Sequence, residues 1–145
     1  MKTSSAGLAV LTQREGRRNQ AYLDSRGIPT IGVGHTGPEV RLGLAWSDEQ
    51  VEAALASDVA WAENEVNRCV NVPMTQNQFD ALVSFVFNLG SRAFSSSTLL
   101  KSLNSGSYMG AATQFPRWDL VAGRQSEGLL RRRVAEQELF TRRDV

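Results

Sequence analysis

The chain has 145 residues, the usual size of one globular domain, and its 41% hydrophobic and 21% charged residues are typical of an ordinary soluble globule. Its net charge of +1 provides no global field that would attract nucleic acid, so nucleic acid is not an expected partner. One histidine and one cysteine exclude the common zinc sites and any internal disulfide, and the lone Cys69 suits synthesis in a reducing cytoplasm.

The first predicted element is a short N-terminal helix. Ser4 or Ser5 can cap it, because a serine oxygen accepts hydrogen bonds from the free N–H groups of the first turn. Gly16 is a suitable stop, because glycine adopts the positive φ that commonly ends a helix. Glu15 would therefore be the last residue of this helix.

A tight β-hairpin is predicted next. The segment 24–27 (Asp-Ser-Arg-Gly) has the chemistry of a turn, and short β-leaning runs flank it, the second covering 28–33. Asp24 would lie at the entry to the turn, and Thr30 would lie on the returning strand. Together with Glu15 at the end of the preceding helix, these side chains can converge on one point.

Capping signals predict the remaining helices. They begin at Ser47, Thr75, Ser97 and Ser107, and a last helix is expected to open at Gly128. The helix that begins at Ser47 is long and would connect two parts of the molecule. The helix that begins at Thr75 is apolar around much of its circumference, which is typical of a central buried helix.

The C-terminal third carries two further expectations. The helix from Ser107 should run to Phe115, because Pro116 restricts the residue before it to extended conformations. The last helix should bury its leucine and valine side chains, namely Leu129, Leu130, Val134 and Leu139.

Cofactor motifs are not supported. The run 32–37 matches the G-x-G-x-x-G pattern of dinucleotide-binding loops, but Pro38 follows it and no parallel-strand pattern surrounds it. The chain has no G-x-S-x-G nucleophile motif and no G-x-x-x-x-G-K phosphate loop. We therefore expect no cofactor.

The polar residues of the first 35 positions carry a resemblance. Glu15, Asp24 and Thr30 follow the spacing Glu-x8-Asp-x5-Thr, and the segment 30–35 reads Thr-Ile-Gly-Val-Gly-His. This pattern resembles the phage-type lysozymes of glycoside hydrolase family 24, endolysins that cut peptidoglycan at the end of a phage infection. Paired carboxyl groups suit that chemistry, because one protonates the leaving oxygen while the other activates water or attacks the sugar.

The resemblance implies a mainly α, α+β fold with two lobes, a small hairpin subdomain and a helical C-terminal lobe. A single catalytic domain would span residues 1–145. The active-site lobe would cover about 13–66, and the helical lobe would cover about 67–145 together with the N-terminal helix.

The resemblance also implies a muramidase that hydrolyses the β-1,4 bond from N-acetylmuramic acid to N-acetylglucosamine and causes lysis of the host cell. Glu15 would be the general acid, held protonated near neutral pH by enclosure in the cleft. Asp24 would stay ionised and share a held water with the Thr30 hydroxyl. A water between carboxylate and sugar needs room, so the carboxyl groups should lie about 6.5–9.5 Å apart, the inverting geometry.

Four other residues are assigned from the resemblance. His35 is expected to be structural and to pair with Asp58. Asn88 and Trp118 are candidate substrate-binding residues. For Asn88 a capping role stays equally open, and for Trp118 a place in the core is the alternative. Arg14 is a departure from relatives, which often carry an aromatic residue before the acid, and it should make the pocket of Glu15 wetter.

Two other functions compete with hydrolysis. A non-catalytic peptidoglycan-binding module could keep the fold, although a pure binder has no need of Glu15, Asp24 and Thr30 together. A lytic transglycosylase needs one acid and no water, and the Asp24–Thr30 pair favours hydrolysis over it.

The arginine-rich segments 131–133 and 142–143 either form a solvated helix face or contact acidic envelope polymers.

The expected place of action is the cell wall. The longest apolar run near the N-terminus, at 8–11, is too short for a signal peptide or a membrane anchor. We expect a monomer that is made in the host cytoplasm and acts on peptidoglycan, its partner, in the periplasm after export or membrane permeabilisation. Two export routes stay open, one that depends on a holin and one that uses a signal anchor trimmed from this sequence.

Overall fold

The computed structural model describes residues 1–121 and 123–143, in which helices predominate and the strands form two small antiparallel hairpins. The helices are α1 (Ser5–Glu15), α2 (Asp48–Cys69), α3 (Gln76–Leu89), α4 (Ser91–Ser95), α5 (Thr98–Asn104), α6 (Tyr108–Ala112) and α7 (Glu127–Thr141), with a 3-10 turn at Phe115–Arg117. The strands are β1 (Arg18–Leu23), β2 (Pro29–Gly32), β3 (Leu120–Val121) and β4 (Arg124–Gln125). The predicted α+β class is confirmed, whereas the residue limits of the two lobes stay a prediction.

The first three helices begin where their capping side chains predict. Ser4 accepts a backbone hydrogen bond at the start of α1, and Gly16, with φ 74°, follows its last residue. Ser47 and Gln50 form a complete capping box on α2, and Thr75 with Gln78 forms another on α3. These bonds satisfy N–H groups that have no partner inside the helix.

The predicted hairpin is present between α1 and α2. Strands β1 and β2 pair antiparallel with Tyr22 opposite Thr30, and Asp24 N donates to the oxygen of Ile28 across the turn. A further bridge joins Gln20 to Ala45, so the loop before α2 lies along the outer edge of β1.

The segment between α3 and α7 differs from the prediction. Helix α4 and the β3–β4 hairpin were not predicted, and α6 ends at Ala112 instead of Phe115. Pro116 does not stop a continuous helix, because it lies within a separate 3-10 turn, where a missing N–H is tolerated in the first positions.

Helix α3 is the centre of the core, as its apolar circumference predicts. All its residues from Phe79 to Val86 are buried, and α2 and α7 pack against it. Phe85 is surrounded by the rings of Phe94, Phe115 and Trp118, with centroids 6.2, 5.7 and 5.6 Å away. All three contacts are edge-on, an arrangement that stabilises aromatic pairs beyond the area they bury.

The buried face of α7 was predicted wrongly. Its buried residues are Arg133, Glu136 and Phe140, while the predicted leucine and valine side chains are only partly buried. The reason lies in α3, which presents Ser84 and Asn88 to α7 together with its apolar side chains. Charged groups on α7 satisfy these polar groups, so its inward face is not an apolar stripe.

A buried ion cluster joins α7 to α3. Arg133 Nε lies 2.8 Å from Glu136 Oε1, and Arg133 Nη2 donates a hydrogen bond to Glu136 Oε2 at 3.3 Å. Ser84 Oγ donates to the same Oε2 at 2.5 Å. Burial lowers the pKa of Arg133 to about 10 and raises the pKa of Glu136, while the opposite charges counteract both shifts. Charges at this depth require one another, because an unpaired buried ion is strongly unfavourable.

A second electrostatic contact attaches the hairpin to α2. His35 Nδ1 lies 2.7 Å from Asp58 Oδ2, and His35 Nε2 lies 2.7 Å from Glu39 Oε1. Both ring nitrogens face carboxylates, which favours the doubly protonated imidazolium. Burial alone would lower the pKa of His35, but the bonds to Glu39 and Asp58 outweigh it and the pKa is raised above 6.5. The predicted contact with Asp58 is present, and the contact with Glu39 was not foreseen.

We expect replacement of Glu136 by Gln to destabilise the fold by about 3–5 kcal/mol, because it leaves buried arginines without their counter-ion. Urea unfolding at pH 7 measures this change. Glu127→Gln is the matched control, since Glu127 lies on the same helix with a side chain that is 94% exposed, and its midpoint should not move. Equal effects of the two substitutions would contradict a buried ion cluster.

We expect His35→Asn to lower stability by about 1 kcal/mol at pH 6, a modest value because the pair is partly screened by solvent. A raised pKa means that the folded state binds the proton more tightly, so the stabilisation is complete below about pH 6.5 and is lost as the pH rises through the folded-state pKa. Thermal unfolding of both proteins between pH 5 and 9 should therefore give curves that converge at high pH. A stability difference that is constant over this range would exclude the ion pair as its cause.

Candidate active site

The three predicted catalytic residues line one cleft of about 460 Å³. The end of α1 contributes Glu15, and the first hairpin contributes Asp24 and Thr30. The remaining lining comes from the first hairpin, the bend after it, the end of α3 and the segment that leads into α7: Tyr22, Ser25, Arg26, Gly34, Thr36, Phe87, Asn88, Leu89, Leu120, Ser126, Gly128 and Leu129.

Glu15 has two differently placed carboxyl oxygens. Oε1 accepts a hydrogen bond from Arg132 Nη1 at 2.5 Å, and the two side chains are only 17% and 10% exposed. Oε2 lies against Gly34, where an added Cβ would come within 2.6 Å of it. Gly34 is therefore required for the carboxyl group to fit beside the bend, and Oε2 is the oxygen that lies next to Gly34, a residue of the cleft lining.

Arg132, and not the neighbouring Arg14, is the cation that contacts this acid. The side chain of Arg14, which was expected to affect the pocket of Glu15, instead contacts Ser84 Oγ at 3.5 Å. Burial lowers the pKa of Arg14, partly offset by Glu136.

Asp24 is held by the turn that it begins. Its Oδ1 accepts from the backbone N–H groups of Arg26 and Ile28 at 2.8 and 2.9 Å, and the Arg26 guanidinium lies 3.8 Å from Oδ2. These contacts fix the orientation of the Asp24 side chain. Oδ2 accepts no hydrogen bond among the described residues, so it is the oxygen that remains available to a ligand.

Thr30 is almost fully buried, with 3% of its surface exposed, yet it reaches the cleft. Its hydroxyl donates to the backbone oxygen of Ile28 at 2.9 Å. Because its hydrogen is used in this bond, the hydroxyl can act towards a ligand only as an acceptor. Tyr22 lies opposite Thr30, and burial, with the nearby carboxylates of Glu15 and Asp24, raises the pKa of its phenol.

The two candidate substrate-binding residues differ in their placement. Asn88 lines the cleft, and its Oδ1 accepts from Arg133 Nη2 at 2.8 Å. Within the described part of the chain, its amide hydrogens have no acceptor. Trp118 is not among the described residues that line the cleft, and its ring packs edge-on against Phe85 in the core. His35 and Asp58 contact each other beside the cleft.

Sequence reasoning missed two residues of this site. It treated the segment 131–133 as a solvated face or a polymer contact, whereas Arg132 pairs with the acid Glu15 and Arg133 is fully buried. The spacing of Arg132 and Glu136, four residues apart on a helix, was the available signal for an internal pair. Gly34 was considered only within the G-x-G-x-x-G match of 32–37, and its contact with Glu15, 19 residues earlier in the chain, cannot be read from the spacing of the motif.

Within the described ranges, no helix has both the length and the apolar character that crossing a membrane requires.

Comparisons with known proteins identify the family of the chain. The family model for phage lysozyme matches residues 12–136. The endolysin of Salmonella phage P22 is 45% identical over 144 residues, which cover 97% of this chain and 98% of that protein. The structure of an endolysin from Escherichia coli O157:H7 phage FAHEc1 is similar with a TM-score of 0.86 at 38% identity, covering 97% of this chain and 94% of that one. The muramidase domain of SpmX from Asticaccaulis excentricus gives the same TM-score and identity, covering 98% and 99%. The chain therefore belongs to the phage lysozyme family and is an enzyme of the lysozyme type.

Proposed function

We propose that the protein is an endolysin that hydrolyses the β-1,4 bond from N-acetylmuramic acid to N-acetylglucosamine in peptidoglycan, with inversion at the anomeric carbon. The observation that carries the proposal is the common cleft of Glu15, Asp24 and Thr30, in which one carboxyl group is enclosed and the other lies in a polar turn. The family membership supports the substrate class.

Glu15 acts as the general acid. With Oε1 held by Arg132, the transferable proton is carried by Oε2, the oxygen beside Gly34. A bound glycan strand displaces water from the cleft, which raises the cost of the negative charge and favours the protonated acid. As the glycosidic bond breaks, this proton passes to the oxygen of the departing N-acetylglucosamine.

Asp24 and Thr30 hold the attacking water. The water donates one hydrogen to Asp24 Oδ2 and the other to Thr30 Oγ1, whose own hydrogen is engaged by Ile28. A lone pair of the water then points at the anomeric carbon. As its oxygen bonds to carbon, Asp24 takes its proton as general base. The products are a muramic acid hemiacetal and a free hydroxyl on N-acetylglucosamine, and solvent returns both carboxyl groups to their starting forms.

We expect the carboxyl groups of Glu15 and Asp24 to lie about 6.5–9.5 Å apart, the range of inverting glycosidases. Asn88 supports the substrate with its free amide hydrogens, and His35 with Asp58 supports the bend and has no part in proton transfer. The place of action is the periplasm, after the protein has left the host cytoplasm, and the protein acts as a monomer that lyses the host.

We expect the wild type to clear a suspension of permeabilised Gram-negative cells and Glu15→Gln to lose activity by at least about 100-fold, because an amide cannot donate the proton. Turbidity measures lysis, and circular dichroism checks that the variant is folded. Retention of wild-type lysis by Glu15→Gln would remove the acid from the mechanism. A wild type that binds the wall without clearing the suspension would favour a non-catalytic binding module.

We expect Thr30→Ala to lower kcat about 10- to 100-fold while the acid stays intact, because the water then loses one of its two anchors. Thr30→Ser is the matched control, since it keeps the hydroxyl in the same place and should retain most of the rate. Equal losses in the alanine and serine variants would indicate that the methyl group matters and the held water does not.

We expect the new reducing end to appear first as the α-anomer, because a water opposite the leaving group inverts the anomeric carbon. Proton NMR of the digest, recorded before mutarotation, measures the ratio of anomers. A β-anomer as first product, or a covalent sugar on Asp24, would make Asp24 a nucleophile. Anhydro-muramic ends in the mass spectrum would instead identify a lytic transglycosylase.

A further inference from the structure

A small recess extends the cleft along helix α2. It encloses about 120 Å³ and is lined by Gly34, Thr36, Asp58, Trp61 and Phe87. Gly34, Thr36 and Phe87 also line the main cleft, so the two spaces are continuous around the bend that follows β2. A long ligand in the cleft can therefore reach the side chain of Trp61.

Trp61 stands apart from the other two tryptophans. Trp46 contacts the ring of His35, and Trp118 contacts the ring of Phe85. Among the described residues, Trp61 has no aromatic partner, and 45% of its surface is exposed. Leaving an indole in water when it could be buried is unfavourable, so an exposed Trp beside a binding cleft indicates a contact with a ligand.

Polar groups accompany the indole. Asp58 Oδ2 is engaged by His35 Nδ1, while Asp58 Oδ1 accepts no hydrogen bond within the described ranges. Thr36, which carries a hydroxyl group, is also part of the lining of the recess. An aromatic face with acceptors at its edge matches a pyranose ring, which has an apolar C–H face and a rim of hydroxyl and acetamido groups.

We propose that Trp61 stacks on a sugar ring of the glycan strand beyond the two rings that flank the cleaved bond, and that it forms an additional binding subsite. This inference rests on the proposed function for the identity of the ligand. The strand would pass from the cleft over Gly34 and Phe87, and its acetamido or hydroxyl hydrogens would bond Asp58 Oδ1.

The test uses soluble, peptide-free strands of alternating N-acetylglucosamine and N-acetylmuramic acid in a series of lengths. For long strands, kcat/KM should fall roughly three- to tenfold in Trp61→Ala, the size of an aromatic stacking contact, and less than twofold in Trp61→Phe. For the shortest strand that is cleaved, kcat/KM of Trp61→Ala should agree with that of the wild type within twofold. Met109→Ala is the control, because Met109 is 71% exposed and lies on α6 outside the cleft lining.

A binding measurement separates this inference from the proposed function. Calorimetric titration of long strands into Glu15→Gln, with and without Trp61→Ala, reports the contact without any reaction. Weaker binding by the double variant supports the subsite even if the wild type proves inactive. If the wild type cleaves the strands but the double variant binds them as tightly as Glu15→Gln alone, the subsite is overturned and the proposed function remains. The same holds if Trp61→Ala lowers kcat/KM equally at every strand length.

Discussion

The ion pair between Glu15 and Arg132 is the contact on which the active site depends. It joins the last residue of α1 to α7, 117 residues away in the chain, and both side chains are mostly removed from water. A carboxyl group enclosed in this way requires a partner for its charge, and Arg132 in turn approaches Glu136, which pairs with Arg133. The position of the acid is therefore set by the buried cluster between α3 and α7.

This arrangement relates stability to function at one site. The contact that satisfies the enclosed Glu15 side chain also fixes where its carboxyl group lies. Its two oxygens have different neighbours, since Oε1 faces Arg132 and Oε2 faces Gly34. In the proposed mechanism, Oε2 is therefore the oxygen that carries the transferred proton.

The other half of the site is local in origin. Asp24 accepts hydrogen bonds from residues two and four positions further along the chain, and Thr30 bonds the backbone of Ile28. These contacts form within one hairpin and need little from the rest of the molecule. The His35–Asp58 pair then attaches the hairpin to α2, and the same helix presents Trp61 to the extension of the cleft.

By itself the sequence determined what short-range chemistry controls. Serine and threonine caps, glycine stops and the Asp24 turn specify helix ends and the hairpin, because each depends on hydrogen bonds between residues a few positions apart. The same positions carried the resemblance to phage lysozymes.

Tertiary structure alone decided which face of α7 is buried, since Arg133 and Glu136 replace the predicted leucine stripe. It also decided that Trp118 packs in the core while Trp61 lies beside the cleft. The apolar periodicity of a helix predicts its buried face from local sequence alone. A charged side chain can be buried only beside a partner of opposite charge, and folding brings that partner close from elsewhere in the chain.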